Sequence, residues 1–256
     1  MLDKRLEAAL EMAKEAGALA QRMRANPGEL QAEIKGPMDL VTAADVAVET
    51  LLRDRILTFE PDVAILGEED GLEGVGRRIW IIDPIDGTVN FSRGMPDWAI
   101  SIAFSDGVAI THGVIYAPDL GLTATAIRGQ GCYLNGQRVL FDETPSDTPI
   151  VALGYSARRP IAGYLGRIER LIDHGIEHRR HGAATICLLG VLGRWFDAFY
   201  EPALNIWDAA AGLLMIEEAG GHVSHDPLPD FLTKPSDVLA RNRLDLKLGS
   251  ILAGDD

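Results

Sequence analysis

Long hydrophobic runs are missing from this chain. None approaches the roughly 18 consecutive apolar residues that mark a membrane helix, so no bilayer span is expected. The start lacks the pattern of a secretory leader: Met1-Leu-Asp-Lys-Arg-Leu-Glu7 sets acidic residues ahead of any apolar stretch, where a leader begins basic and continues apolar. Cysteine is scarce. Cys132 and Cys187 form neither a CxxC pair nor a zinc-ligand spacing, so reduced, packed thiols in a cytoplasmic setting are expected. Positive charge is short as well, with 24 Lys and Arg against 38 Asp and Glu and a formal charge of −14. Nucleic acid and anionic membranes are therefore not expected as partners, because their phosphates are gripped by clustered Lys and Arg. The phosphate-loop pattern GxxxxGK followed by Ser or Thr is absent, which argues against a nucleotide-driven kinase. An acidic protein that handles an anion needs a local source of positive charge, and bound metal ions are one.

What is present is an ordered run of alternating patterns. Apolar residues at helical spacing predict a helix over 2–25, stopped at Asn26-Pro27-Gly28, and a second over 43–59 that buries Val46, Thr50, Leu51, Ile56 and Leu57. Short apolar runs predict strands at 63–66 and 78–82, the latter apolar on both faces as a central strand is. Strands at 98–104 and 108–116 flank Asp106-Gly107, a hairpin signal, and 122–127 with the Asn135-Gly136 turn continues the meander. Beyond 145 the pattern becomes strand 150–154, helices near 161–174 and 183–193, strand 196–200, helix 208–219, strands near 221–224 and 238–241, and a last helix near 242–252. The fold class read from this order is α/β, in two lobes packed as one catalytic unit: 1–145 with most of the acidic candidates, and 146–256.

Four acids stand where a strand ends or a helix begins. Glu68 follows strand 63–66, Asp83 and Asp86 follow strand 78–82, and Asp208 opens helix 208–219. Ligands in open α/β sheets gather past the carboxyl ends of strands, so the first three are expected in one crevice. Between Asp83 and Asp86, Pro84 suits a helix start and Gly87 permits a sharp turn, which brings both carboxylates to one side. Two carboxylates about 4 Å apart repel by about 4 kcal/mol at an effective dielectric near 20. A hard divalent cation removes that penalty, and all-oxygen ligation favours Mg²⁺ or Mn²⁺ over Zn²⁺. Backbone N–H groups at Gly87-Thr88 suit a phosphate, and the Thr88 hydroxyl is placed to relay a proton from water to a carboxylate. An isolated Asp-Pro-x-Asp-Gly run also reads as a plain turn with an Asp cap.

Four motifs in register resolve that choice. Trp80-Ile-Ile-Asp83-Pro-Ile-Asp86-Gly-Thr88-Val-Asn-Phe91 resembles the signature of the inositol monophosphatase family. Trp207-Asp208-Ala-Ala-Ala-Gly-Leu-Leu-Met-Ile-Glu-Glu-Ala-Gly-Gly221 resembles its second signature, Gly67-Glu68-Glu69-Asp70 its acidic loop, and Asp39-Leu-Val-Thr-Ala-Ala-Asp45 its N-terminal motif. The resemblance implies helices and two sheets in alternating layers, a fold shared with fructose-1,6-bisphosphatase, and two or three Mg²⁺ ions. It implies metal ligation by Glu68, Asp83, Asp86 and Asp208 and by the Ile85 backbone oxygen, and water activation by Asp45, Thr88 and Glu68. Phosphate would be gripped by Gly87 and Thr88, and substrate contacts are implied as well for Glu68, Ile85, Asp86, Gly182, Ala183, Ala184, Glu201 and Asp208. The reaction implied is direct attack by water on a small phosphate monoester, with inositol monophosphate first. Histidinol phosphate, fructose-1,6-bisphosphate and 3′-phosphonucleotides are alternatives, as is a catalytically silent regulatory relative. A homodimer is the implied assembly.

Overall fold

The computed structural model describes residues 3–26, 32–36, 39–142, 144, 146–243 and 246–253. Leu2, Pro27, Gly28 and Pro145, used above to place element ends and the lobe boundary, lie outside them. Helix α1 is Lys4–Arg24, strands β1 and β2 are Ala32–Gly36 and Asp39–Thr42, and α2 is Ala43–Phe59. Next come β3 (Ala64–Gly67), β4 (Gly71–Glu73), β5 (Ile79–Asp86), the short α3 (Thr88–Ser92), β6 (Ala99–Ser105), β7 (Ile110–Ala117), β8 (Leu122–Ile127), β9 (Gly131–Leu134) and β10 (Gln137–Val139). The remainder is β11 (Ile150–Leu153), α4 (Ile161–Asp173), β12 (Glu177–Arg179), α5 (Ala184–Leu192), β13 (Ala198–Leu204), α6 (Ile206–Glu218), β14 (His222–Ser224), α7 (Leu228–Phe231), β15 (Ser236–Arg241) and α8 (Leu246–Ala253).

Among the described residues the strands form an eight-stranded sheet in the order β10-β9-β8-β7-β6-β5-β3-β4, a five-stranded sheet β12-β11-β13-β15-β14, and the β1-β2 hairpin. Both larger sheets are mixed: β3 runs parallel to β5, and β11 runs parallel to β12 and β13. Side-chain alternation then assigns the layers. On one face of the larger sheet Trp80, Ile82, Ile100, Ile102, Phe104 and Val114 pack with Leu6, Met12, Val48, Leu52 and Ile56 of α1 and α2. Ile81, Ala99, Ala103, Ile115, Ala124 and Ala126 point the other way, onto Ile186, Leu189, Leu213 and Leu214 of α5 and α6. That core also takes Ala152, Phe199, Val238 and Ala240 from the smaller sheet, whose far face sets Val151, Leu153 and Tyr200 against Leu171 of α4 and Leu248 and Leu252 of α8. Helices and two sheets alternate in layers, as expected, in the order helix–sheet–helix–sheet–helix.

The inner face of the larger sheet is built from small residues, so α6 can lie close to it. At Gly113 an added Cβ would stand 3.1 Å from both the Cα and the carbonyl oxygen of Ala211 in α6. Close approach matters because α6 carries Asp208.

Several expectations are corrected. Helix α2 keeps its predicted bounds but turns a different face inward: Val46 and Leu57 are exposed, and Ala44, Asp45, Val48, Glu49, Leu52, Arg53 and Ile56 are buried. Its polar residues are held inside by partners, which reverses the rule that charge faces solvent. Asp208 does not open α6 but is its third residue, behind the cap Asn205. His174 caps the end of α4 and His178 lies in β12, so they share no helix. Trp195 is about half exposed. Both cysteines are buried and free, and no described helix is long and apolar enough to cross a membrane.

Candidate active site

Parallel strands β3 and β5 end side by side, with Gly67 level with Ile82. Glu68 therefore leaves β3 beside the place where Asp83 stands in β5. The register of β5 with β6 shifts between Asp83 and Asp86, an irregularity that re-aims side chains at a sheet end. Asp208 enters from the first turn of α6, where its carboxylate accepts a hydrogen bond from the Asn205 N–H at 3.2 Å. One carboxylate oxygen each from Asp83, Asp86 and Asp208 lie within 4.8 Å of one another.

Each carboxylate of this cluster is fastened to the protein by hydrogen bonds, and Asp86 has the Ala184 and Gly87 N–H groups close by as well. Asp83 Oδ1 accepts from the Ile85 N–H at 3.1 Å, while its Oδ2 is buried without a hydrogen-bond partner. Asp86 Oδ2 accepts from the Thr185 N–H at 2.6 Å and from the Thr185 hydroxyl. Burial pushes the Asp83 carboxyl well above its ordinary range, and the charges of Glu68, Asp86 and Asp208 push it further. Asp208 is pushed up to about 7, first by burial and then by Asp86. Without a cation, a contact between Asp83 and Asp208 requires a shared proton. An orphaned buried oxygen inside a ring of hard oxygen donors fits Mg²⁺ or Mn²⁺.

Beside the cluster, Thr88 donates from Oγ1 to Asp45 Oδ1 at 2.9 Å and approaches the Ile85 carbonyl oxygen at 3.1 Å. Asp45 is the third residue of α2. Its Oδ2 closes a capping box by accepting from the Thr42 N–H at 2.8 Å and the Thr42 hydroxyl at 2.6 Å. Burial raises the Asp45 carboxyl in spite of these donors. Gly87 takes a left-handed φ of 87°. A Cβ there would stand 2.8 Å from the Asp97 carbonyl oxygen and 2.9 Å from Ala183 Cβ. Glycine at 87 thus seats the Gly87-Thr88 turn against the loop Gly182-Ala183-Ala184.

That loop, together with Asp86, Tyr155, Arg180, His181, Glu201 and Asp208, lines a cavity of about 180 Å³. Glu201 reaches it from β13, and Gly154 leaves room for it, since a Cβ at 154 would run into the Glu201 carboxylate. Burial, then Asp208 and Asp86, push Glu201 up to about 8, against the pull of Arg180 and Arg158. Asp86, Gly182, Ala183, Ala184, Glu201 and Asp208 therefore line one space. Thr88 stands between Asp45 and the Ile85 carbonyl oxygen at the end of β5. Glu68 acts on Asp83 through charge and is not part of the three-carboxylate cluster.

A family model described as the inositol monophosphatase family matches residues 1–251. The chain belongs to this family. It is 37% identical over 224 residues to the Nus factor SuhB of Escherichia coli K12, covering 86% of this chain and 84% of that protein. It is 36% identical over 197 residues to an inositol-1-monophosphatase of Rhizobium meliloti, covering 75% and 74%. In structure it resembles the extragenic suppressor protein SuhB of Bartonella henselae, with a TM-score of 0.88, 31% identity and 98% of both chains covered.

Around these family motifs the structure adds residues that sequence reasoning passed over. Glu49 lies one turn beyond Asp45 on α2 and is fully buried. Its Oε2 accepts from the Glu69 N–H at 2.8 Å and its Oε1 from the Asp70 N–H at 3.0 Å, which clasps the loop carrying Glu68. Arg53 neutralises it through Nη2 at 2.7 Å and donates to the Gly71 carbonyl oxygen at 2.7 Å. Gly67 is glycine because any Cβ there would overlap the Glu49 carboxylate. Asn90, inside the first family signature, donates to the carbonyl oxygens of Asp97 and His181, each at 2.8 Å, and joins the segment after Gly87 to the 182–184 loop. The four-residue step from Asp45 to Glu49 was the available signal for Glu49. Thr185 left none, because its partner is 99 residues away.

Proposed function

We propose that this protein hydrolyses a small phosphate monoester in a Mg²⁺-dependent reaction, with inositol monophosphate as the substrate. The observation that carries the reading is the buried Asp83–Asp86–Asp208 cluster, with its unpartnered Asp83 oxygen, next to a hydroxyl–carboxylate pair. Asp83, Asp86, Asp208, Glu68 and the Ile85 carbonyl would hold the ions, which supply an activated water, charge neutralisation at phosphate and stabilisation of the leaving oxygen.

The chain's own residues do the rest. The Thr88 hydroxyl already donates to Asp45, so its lone pairs are turned to accept a proton from the attacking water while its own proton passes to Asp45. Burial makes the Asp45 carboxylate a stronger base than a surface one. Glu68 helps to place the water from a loop that Glu49 clasps. The backbone N–H groups of Gly87 and Thr88 grip the phosphate oxygens. Gly182, Ala183 and Ala184 border the ring of the substrate, and Glu201 accepts hydrogen bonds from its hydroxyls, which favours a polyol. The acid set supports for this chain the activity that the Rhizobium meliloti relative's name states. The family resemblance extends the reading to a homodimer in the cytoplasm, and light scattering tests the first.

The test is phosphate release with and without Mg²⁺ from inositol-1-phosphate, histidinol phosphate, fructose-1,6-bisphosphate and adenosine 3′,5′-bisphosphate, with Asp83→Asn as the control. The expected outcome is Mg²⁺-dependent release, fastest from inositol-1-phosphate and lost in the variant. In ¹⁸O-water the label is expected in phosphate; label in the alcohol product overturns direct attack by water.

A further inference from the structure

Of the three clustered carboxylates, two are fastened locally: Asp83 by a backbone N–H two residues on, Asp208 by one three residues back. Asp86 differs. Its Oδ2 accepts both the backbone N–H and the hydroxyl of Thr185, a residue from the second half of the chain. The Thr185 side chain is fully buried. It is the second residue of α5, directly after the loop Gly182-Ala183-Ala184 that lines the cavity.

We propose that Thr185 is the positioning residue that fixes Asp86 as a one-oxygen metal ligand and ties the metal centre to the substrate loop. Two donors from one residue converge on one oxygen, so the Asp86 carboxylate cannot rotate without leaving both unpaired in a buried site. Its other oxygen is thereby reserved for the ion. The N–H at the start of a helix needs an acceptor in any case; the hydroxyl is the added element, and only Ser or Thr supplies it. The bond bridges β5 and α5, so it links the carboxylate that would hold the ion to the turn that carries Ala183 and Ala184.

This inference rests on the phosphatase reading, and the experiment separates the two. Mn²⁺ binding is measured directly, by calorimetry and by the electron paramagnetic resonance of free Mn²⁺, on substrate-free wild type, Thr185→Val, Thr185→Ala and Thr185→Ser. Loss of the supporting hydroxyl is expected to weaken Mn²⁺ binding by about 10-fold, with the Ser variant within about 2-fold of wild type on the same scale. The Mg²⁺ concentration for half-maximal activity shifts in parallel, and most of kcat returns at saturating Mg²⁺. Circular dichroism of the metal-free proteins identifies any variant that fails to fold, and the Ala variant carries the comparison if Val does not fold. Wild-type affinity in a folded variant without the hydroxyl overturns the proposal, even if its melting temperature falls, because that is the signature of packing alone. A Ser variant as weak as Val overturns it too. Absence of Mn²⁺ binding by the wild type overturns the phosphatase reading and this inference with it.

Discussion

At the scale of single residues, the site is a place where like charges are held together against their preference. Asp83 is the centre of that conflict, buried beside three other acids with one oxygen unpartnered. Asp83→Asn keeps the acceptor for the Ile85 N–H and gives Asp208 a donor. The metal-free variant is expected to be more stable than wild type by about 1–3 kcal/mol, while losing its stabilisation by Mg²⁺ and its activity; urea titrations with EDTA or Mg²⁺ check this. Titration gives a second expectation. Asp208 rises from 3.8 to about 7 and Glu201 from 4.5 to about 8 on folding. Both hold protons more tightly in the folded state, so their contribution to stability is full at low pH. It is lost as pH climbs from about 4 through these folded values. The melting temperature in EDTA should therefore fall between pH 5 and pH 9, and saturating Mg²⁺ should flatten that fall.

At the scale of elements, α2 serves both halves of the proposed water-activating machinery. Asp45 meets Thr88, and one turn later Glu49 and Arg53 clasp the loop that carries Glu68. Glu49→Gln removes the buried counter-charge of Arg53 and leaves it the more exposed Glu73 and Asp70, which is expected to cost about 1–3 kcal/mol in urea unfolding. The loosened loop is expected to lower kcat by about 10- to 100-fold. This helix also shows what could be read from sequence. Its start and stop were legible, since Thr42 caps it and Pro61 follows it, but its buried face was not. Periodicity sorts apolar from polar, and here Asp45, Glu49 and Arg53 are interior because each has a partner far along the chain. The acids at strand ends were legible for a related reason: Asp-Pro-Ile-Asp-Gly carries its geometry locally. Thr185 and Asn90 act only through contacts that folding creates.

At the scale of the whole molecule, one inner core joins both sheets through α5 and α6. Gly113→Val is expected to push α6 off the larger sheet, with a loss of about 1–3 kcal/mol in urea unfolding. Because α6 carries Asp208, Mn²⁺ affinity should fall with it. The number of layers was not legible from alternation, which tells a strand that it has two faces but not what will cover each. The small-residue face of the larger sheet has a consequence for the order in which the protein is born. Strands β3 to β10 leave the ribosome before α5 and α6 exist, so a nascent chain that has reached Val139 presents a bare face of alanines with Ile81 and Ile115 among them. Such a chain is adhesive on one side and chemically silent, since Asp208 and the Thr185 donors are still to be made. Solubility and competence arrive together, in the last third of synthesis.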